Sequence, residues 1–483
     1  MILERGNGET GMSYTARLAR FVIETRFDDL PEKVVEKAKH LILDTVAASF
    51  GGIHTDIGGI LKSLFQELGG KPECTVVGSS QKTSCAHAAW INSKLGNALD
   101  VDDVFFNFSH FAPISLYPAL ALAEREGRSG KDLITSVVLG YDLAARVRVS
   151  ALGRSRGQTW TVVAGIVSAG KMMQLGQEEL LNALGIGCAF APVPASRKSL
   201  GPPVTMVKYS DMGLAGFLGV ISCLMAKKGY TGSQDIFDGD YGFWKLLGAD
   251  LCAYDLMVDG LGKRWYIMES AFKPYPCCRW IHIPLDLLRS LIDREKLHRS
   301  EIHSVIVRVH PDAASLTTNN PKDGVGAQFS IPYNIALAAF GVPPGPQWQS
   351  IDLMHNEEIT NFAQKVKVEV EPESVEILNS DSQPTFGFTR SAAAIEVEAR
   401  GRKFVERGNW AKGDPWQSEY VMSYKELENK FKVYASSLAP LSDIWNKQTE
   451  RLGSMINSLE RVQDIQEMTK LLCPANKSLS GGP

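Results

Sequence analysis

The spacing of apolar residues changes twice along this chain of 483 residues. Over roughly the first two hundred residues, they recur every three or four positions, as between Val34 and Val46, which is the period of an amphipathic helix. From about residue 300 they alternate, as in Val305, Val307 and Val309, which is the period of a half-buried strand. Helical spacing then returns. We therefore predict a mainly α fold, in which both ends of the chain form one large all-helical domain and an α+β domain is inserted between them.

The predicted boundaries place the helical domain at residues 1–268 and 411–483 and the inserted domain at residues 269–410. Asp29 is placed to cap a first long helix, which has Pro31 near its first turn. Ser423 and Glu426 fit a capping box at the start of another helix. Further predicted helices span Ile114–Glu126, Lys131–Val149, Val162–Leu175, Glu178–Cys188, Phe329–Phe340 and Met455–Leu472. The last residues, Ser478–Pro483, are expected to fray.

The composition is that of an ordinary globular protein, with 44% hydrophobic and 22% charged residues. The net charge of -3 leaves no basic excess, so we expect neither a nucleic acid nor a membrane surface as a partner. We find no apolar run of the roughly 18–20 residues that a membrane helix needs. Met1–Thr15 has no apolar core and is not expected to be a signal peptide. The 8 cysteines include no CxxC pair, and Cys277–Cys278 is predicted to be two buried thiols, so we expect a reduced, cytoplasmic protein.

The densest polar cluster is the stretch from Asn97 to His110, which contains Asp100, Asp102 and Asp103. Carboxylates crowded near one another and near a histidine can have shifted pKa values, which suits acid–base chemistry. The alternative is that Asp102 and Asp103 cap helices or bind main-chain amides. A single histidine among aspartates is weak evidence for a metal site.

Two lysines lie in stretches that could direct positive charge into a cleft. Lys208 follows Pro203-Val-Thr-Met-Val207, and Lys273 opens the rigid stretch Lys273-Pro-Tyr-Pro-Cys-Cys-Arg279. The alternative for each is an ordinary surface lysine. The sequence has no P-loop, no GxGxxG or GxSxG pattern, no HExxH and no zinc-ligand spacing.

Taken in order, these clusters resemble the MmgE/PrpD family, which includes 2-methylcitrate dehydratases, cis-aconitate decarboxylases and an iminodisuccinate epimerase. The matching stretches are Leu41–Val46 followed by Gly51-Gly52, Asn97–Asp103 with His110, Val207-Lys208 with Gly213, Lys273–Arg279, and Gln328–Tyr333. The resemblance implies a helical domain with an inserted lid domain, usually in a homodimer. It also implies a site between the domains that binds small di- or tricarboxylic acids without a metal or another cofactor.

Carried over position by position, the implied catalytic residues are Asp100, His110, Lys208, Lys273 and Tyr333. Both lysines would bind substrate carboxylates, and His110 would act as acid or base. Asp100 would orient or tune His110, and Tyr333 would act as a donor or proton relay.

Asp103 and Thr159 are expected to contact the substrate as well. Thr159 also marks a departure, because members of the family that are decarboxylases or dehydratases typically have a second histidine there. Phe111 replaces the usual proline after the first histidine, and Val104 stands where a hydroxyl residue often follows the acidic pair. The pocket is therefore expected to differ from that of an aconitate decarboxylase.

Three functions remain open at this point. The first is a lyase that dehydrates or decarboxylates a small carboxylic acid. The second is an isomerase or epimerase that moves a proton on the carbon beside a carboxylate. The third is a catalytically silent family member, which the lost histidine favours and the retained lysines oppose.

Overall fold

The computed structural model describes residues 11–153, 157–193, 196–201, 203–380, 387–438 and 442–474. Ser478–Pro483, whose fraying was predicted, lie outside these residues. The described chain is mainly helical and carries small sheets, as predicted. None of its helices combines the length and the apolar character needed to cross a bilayer. A cytoplasmic location stays a prediction.

The first part of the chain is built almost entirely of helices. They are α1 Tyr14–Glu24, α2 Glu32–Gly52, α3 Asp56–Leu68, α4 Cys85–Asn97, α5 Ala112–Glu126, α6 Gly130–Ser150, α7 Thr161–Met172, α8 Gln177–Ala189, α9 Ser196–Ser199, α10 Met212–Lys227, α11 Phe243–Leu246 and α12 Tyr254–Val258. Short antiparallel pairs join β1 Cys74–Thr75 to β2 Lys82–Thr83, β3 Val104–Phe105 to β6 Ser270–Ala271, and β4 Ala151–Leu152 to β5 Leu251–Cys252.

The centre of this helical part is α7. Its residues are almost all buried, and it packs against α5, α6, α8 and α10. A helix that is apolar on every side is stable only when other elements surround it. Small residues allow close approach here, since a Cβ atom on Gly219 of α10 would lie 2.5 Å from the main-chain carbon of Gly165 in α7.

A four-stranded sheet forms in the second part of the chain, in the order β10-β9-β7-β8. Its strands are β7 Ile302–Val309, β8 Val366–Val370, β9 Ala393–Ala399 and β10 Arg402–Gly408. The surrounding helices are α13 His282–Glu295, α14 Gly324–Gln328, α15 Ile331–Ala339, α16 Ile351–Met354, α17 Glu357–Ala363 and α18 Pro372–Leu378. β7 pairs in parallel with β8 and antiparallel with β9. The alternating valines of β7 are buried, while α13 packs against β7, β9 and β10.

The chain then returns to the first helices through α19 Tyr424–Ser436, α20 Asp443–Asn457 and α21 Gln466–Thr469. α19 begins with the predicted capping box, in which Ser423 and Glu426 bind each other's main-chain amides. Its Lys430 lies 2.6 Å from Asp44 of α2 and donates a hydrogen bond of 2.8 Å to the carbonyl of Val101. The boundaries at 269 and 410 stay a prediction.

One side chain connects the two places where the chain crosses these predicted boundaries. The buried guanidinium of Arg279 donates to the carbonyls of Phe272, Ala411 and Lys412 at 2.9–3.3 Å. It also binds the carboxylate of Asp414 at 2.5 Å. The outgoing and returning segments are therefore held against each other.

Two local predictions were wrong. Asp29 does not cap α2, because the residue before that helix is Pro31, and the Asp29 carboxylate instead accepts a hydrogen bond from the amide of Arg26. No single helix spans Met455–Leu472, since α20 ends at Asn457 and the next residues form a short turn. The carbonyl of Val462 there accepts a hydrogen bond from the amide of Gly130, a contact that continuous helix pairing would prevent.

Candidate active site

Asp100 lies at the centre of the candidate site, in the acidic loop between α4 and α5. Its side chain is buried, and its main chain has a left-handed φ of 55°. Lys273 Nζ lies 2.9 Å from Asp100 Oδ2 and also donates to the Asp100 carbonyl at 2.8 Å. Lys208 Nζ lies 3.6 Å from Asp100 Oδ1 and donates to the carbonyl of Asn97 at 2.7 Å. The structure thus brings both predicted lysines to one carboxylate, and neither is a surface residue.

These contacts set the charges at the centre. Burial opposes a charge on Asp100, but Lys273 and Lys208 outweigh it and hold the pKa of this carboxyl well below its usual range. Burial likewise opposes a charge on Lys273, yet Asp100 and Asp102 raise its pKa overall. For Lys208 burial prevails and lowers the pKa to about 8. Lys273 is therefore the permanent counter-ion of Asp100, and Lys208 is the lysine that can release a proton at mildly alkaline pH.

His110 is paired with Asp102. The Nδ1 atom of His110 lies 3.2 Å from Asp102 Oδ2, although it is not aligned for a hydrogen bond. Asn97 Nδ2 holds the same carboxylate through contacts of 3.0 and 3.1 Å to its two oxygens. Burial works against the charge of Asp102, but His110 lowers the pKa of this carboxyl overall. Asp102 is therefore the carboxylate beside the His110 ring, and the role of Asp100 in orienting or tuning His110 stays a prediction.

Two further predicted residues lie next to this centre with their own partners. Asp103 Oδ1 accepts a hydrogen bond from the amide of Ala112 at 2.9 Å, and its Oδ2 accepts one from the Tyr141 hydroxyl at 2.8 Å. Burial and the neighbouring Asp102 raise the pKa of Asp103 to about 6. Asp103 therefore holds the start of α5, as the alternative interpretation had it, and its expected contact with substrate stays a prediction.

Neither Thr159 nor Tyr333 has a hydrogen bond to Asp100 or His110 among the described contacts. The Thr159 hydroxyl is buried and has no hydrogen-bond partner among the described residues. The side chain of its neighbour Gln158 accepts a hydrogen bond from the His110 amide at 3.0 Å. Tyr333 is not brought to Asp100, since its hydroxyl donates to the carbonyl of Trp348 at 2.9 Å. Its role as a proton relay therefore gains no support from these contacts.

Strand pairing and main-chain turns explain why Lys273 and Lys208 lie next to the acidic loop. Val104 pairs with Ala271 in the ladder of β3 and β6, so Lys273 follows two residues after a strand fixed to the acidic loop itself. Lys208 has a left-handed φ of 54°, which turns the chain immediately before α10. Val104, the departure noted in the sequence, therefore serves as a pairing position in this structure.

Sequence reasoning missed three residues that hold the loop. Tyr209 donates a hydrogen bond of 2.8 Å to Asp100 Oδ1. Gln328 Nε2 donates to the carbonyl of Ala98 at 2.8 Å, and Gln349 Nε2 donates to that of Leu99 at 2.8 Å. Tyr209 and Gln328 could have been found, since each stands in or beside a stretch that resembles a family motif. Gln349 carries no such signal.

Within the part of the chain that the structure describes, no three histidine, cysteine, aspartate or glutamate side chains form a group that could hold a metal ion. The arrangement around Asp100 can bind an anion through two ammonium groups and move a proton through a histidine supported by a carboxylate.

Comparisons with known proteins agree with the family predicted from the motifs. Residues 16–251 match the MmgE/PrpD N-terminal domain, and residues 275–450 match the MmgE/PrpD C-terminal domain. Cis-aconitate decarboxylase of Aspergillus terreus (strain NIH 2624 / FGSC A1156) is 26% identical over 98% of both chains. Cis-aconitate decarboxylase of Homo sapiens is 23% identical over 95% of this chain and 94% of its own. The Mus musculus protein of the same name is 23% identical over 95% and 93%.

Proposed function

We propose that this chain, which belongs to the MmgE/PrpD family, is a lyase that acts on a small di- or tricarboxylic acid by proton transfer at a carbon next to a carboxylate. The relatives named cis-aconitate decarboxylase, together with the family match, support a reaction of the decarboxylase or dehydratase type. The observation that carries the proposal is the meeting of two buried lysines and a histidine–carboxylate pair around Asp100. The proposed reaction uses no metal or other cofactor.

The lysines would bind the carboxylates of the substrate. Their ammonium groups now donate to main-chain carbonyls of the acidic loop and contact Asp100. A substrate carboxylate that accepts hydrogen bonds from the same ammonium groups gains charge-assisted bonds, which are stronger than those to neutral carbonyls. When negative charge spreads from the reacting carbon onto this carboxylate, the same cations stabilise it.

His110 would carry the proton, with Asp102 stabilising the ring when it is charged. In a decarboxylation, the bond from carbon to the leaving carboxylate breaks, CO2 departs, and the electron pair left on the substrate takes a proton from His110. In a dehydration, His110 takes a proton from the carbon beside the retained carboxylate, and hydroxide leaves the neighbouring carbon as water with a proton supplied by the enzyme. Both steps need a bound carboxylate and one mobile proton.

Thr159 favours a second candidate. A threonine hydroxyl cannot replace histidine as a proton carrier near neutral pH, and the buried Thr159 hydroxyl has no hydrogen-bond partner among the described residues. An isomerase or epimerase that returns the proton to the same substrate needs no acid for a leaving group, so it tolerates this loss better than a dehydratase.

Proton NMR in D2O tests the proposal with cis-aconitate, citrate, 2-methylcitrate and iminodisuccinate. We expect deuterium to enter a carbon beside a carboxylate, and the product to have lost CO2 or water. A deuterated product of otherwise unchanged composition would select the isomerase. We expect His110→Gln to abolish the exchange, whereas His355→Gln, a change on the exposed surface, should leave it intact. Exchange that persists in His110→Gln would remove this histidine from the mechanism.

We further propose that the chain forms a homodimer through α10. The buried side of this helix consists largely of small residues, whereas large apolar side chains remain partly exposed on its other side. These side chains, here called the α10 face, are Leu214, Phe217, Leu218, Ile221, Leu224 and Met225. A dimer with twofold symmetry would cover this face with the same face of a second copy.

A further inference from the structure

We propose that Tyr209 is a positioning residue that holds the His110 ring and the Asp100 carboxylate in one fixed arrangement. This inference rests on the proposed function, in which His110 carries a proton. Tyr209 directly follows Lys208, whose left-handed main chain turns the segment at the edge of the acidic loop. A left-handed main chain is strained in a residue with a Cβ atom, so packing around Lys208 must maintain it.

The ring of Tyr209 lies flat on the imidazole of His110. Their centroids are 4.7 Å apart and their planes differ by only 4°. Such a stack limits rotation of the imidazole about its last side-chain bond, and the electron-rich face of a phenol stabilises a charged ring that forms above it. Asp102 contacts one edge of the same imidazole, so ring face and ring edge are fixed by different residues.

The hydroxyl of Tyr209 connects the two acidic residues of the centre. It donates to Asp100 Oδ1 at 2.8 Å and accepts a hydrogen bond from Asn97 Nδ2 at 2.7 Å. The same amide nitrogen contacts both oxygens of Asp102. Burial and Asp100 raise the pKa of Tyr209 well above its usual value, which keeps the hydroxyl a donor.

The resulting chain of contacts runs from His110 through Asp102, Asn97 and Tyr209 to Asp100, and the Tyr209–His110 stack closes it. The negative charges of Asp100 and Asp102 repel each other, and hydrogen-bond donors between the two carboxylates offset that repulsion. The Tyr209 hydroxyl and the Asn97 amide supply those donors. A residue that merely filled the core would satisfy none of these polar groups.

Two substitutions separate the functions of ring and hydroxyl. Tyr209→Phe keeps the stack and removes the hydrogen bond to Asp100, whereas Tyr209→Leu removes both. Tyr117→Phe is the matched control, because it also deletes a buried tyrosine hydroxyl, one that contacts Ser49 rather than the acidic loop. The kinetic measurement uses whichever of the four acids the wild-type protein converts.

We expect Tyr209→Phe to lower kcat about ten- to a hundredfold, the value of one hydrogen bond to a charged group, with a much smaller change in KM. Tyr117→Phe should leave kcat near the wild-type value. An unchanged kcat in folded Tyr209→Phe, or equal losses in the control, would overturn the proposed role.

A second measurement does not depend on turnover. Histidine labelled with 13C at Cε1 reports on His110 by NMR, and His110→Gln assigns its signal. The tyrosine ring current shifts the His110 proton upfield, so the signal should move downfield in Tyr209→Leu and stay close to the wild type in Tyr209→Phe. If no acid reacts with the wild-type protein, the proposed function fails, and this comparison alone decides whether Tyr209 holds the ring. An unmoved signal in Tyr209→Leu would reject the stack.

Discussion

Lys208 is a fully buried cation whose charge changes within an accessible pH range. Burial lowers its pKa to about 8, and Asp100 at 3.6 Å offsets that effect only in part. The unfolded chain keeps this proton up to about pH 10.4. Between these two values the unfolded state binds more protons, so the Lys208 contribution to the free energy of unfolding rises with pH. Binding of an anion follows the opposite course, because it requires the charged lysine.

We therefore expect kcat/KM to fall as the pH rises through about 8, since this ratio reports ionisations of the free enzyme. Lys273 should not contribute to this fall, because its pKa is raised. Lys208→Arg, which stays charged, should lose the alkaline fall even where its activity is reduced. Rate profiles of the two proteins between pH 6 and 10 are the measurement. A wild-type ratio that stays flat to pH 10 would contradict the assignment.

The sequence predicted Asp100, His110 and both lysines as site residues, and the structure brings both lysines to Asp100, but the pairing of His110 with Asp102 was not predicted. Residue type and order indicate which groups carry charge, whereas pairing depends on the direction in which each loop residue turns. Asp100 has a left-handed φ that its residue type does not dictate, and its side chain consequently meets Tyr209 and Lys273 instead of His110. The partnership of Asp102 with His110 follows from that turn.

Elements pack closely where small residues meet, and the crossing of α7 with α10 is one example in the helical part. The side chain positions of Gly165 and Gly219 face each other there, and a Cβ on Gly219 would lie 2.5–2.8 Å from main-chain atoms of Gly165. A main chain cannot rotate away as a flexible side chain can. Larger residues at this crossing must therefore separate the helices.

Gly219→Ala should lower the free energy of unfolding by about 1–3 kcal/mol, the usual cost of overpacking a core. Gly59→Ala in α3 is the control, because a Cβ there meets no atom within 4 Å. That change should raise stability by about 0.5–1 kcal/mol, the helix propensity difference between the two residues. Urea unfolding of both variants tests the pair. Equal changes in the free energy of unfolding for the two variants would show that helix propensity, and not close packing of α7 against α10, determines the effect.

The predicted helices agree with the structure where a local sequence pattern alone determines the helix bounds. Apolar periodicity indicated α5, α6, α7 and α8 to within a few residues, and the Ser423 capping box set the start of α19. The pattern failed after Asn457, where apolar residues continue at helical spacing but the main chain pairs with residues 128–130. A hydrogen bond to a distant segment leaves no trace in local spacing.

At the scale of the whole molecule, the proposed dimer predicts that the α10 face is the interface between two copies of the chain. Leu214 is 42% exposed within one chain, so a charge there costs little unless a second copy covers it. The double substitution Leu214→Glu and Leu218→Glu should therefore convert the dimer to a folded monomer. Light scattering coupled to size-exclusion chromatography measures the mass.

Ile444→Glu is the control for that measurement, because this residue of α20 is 54% exposed and lies outside the α10 face. It should leave the mass of the dimer unchanged. A wild-type protein with the mass of a single chain would contradict the proposed dimer. A double variant that remains dimeric would place the interface elsewhere.

The inserted arrangement makes the chain pass twice between the parts predicted to form the helical domain and the lid. Arg279 holds both passages together through the carbonyls of Phe272, Ala411 and Lys412. Two linkers joined in this way cannot bend independently. The stretch that carries Lys273 is held at the same place, because the Phe272 carbonyl that Arg279 binds directly precedes it. The candidate site is therefore anchored where the chain leaves the first helical part and where it returns to it.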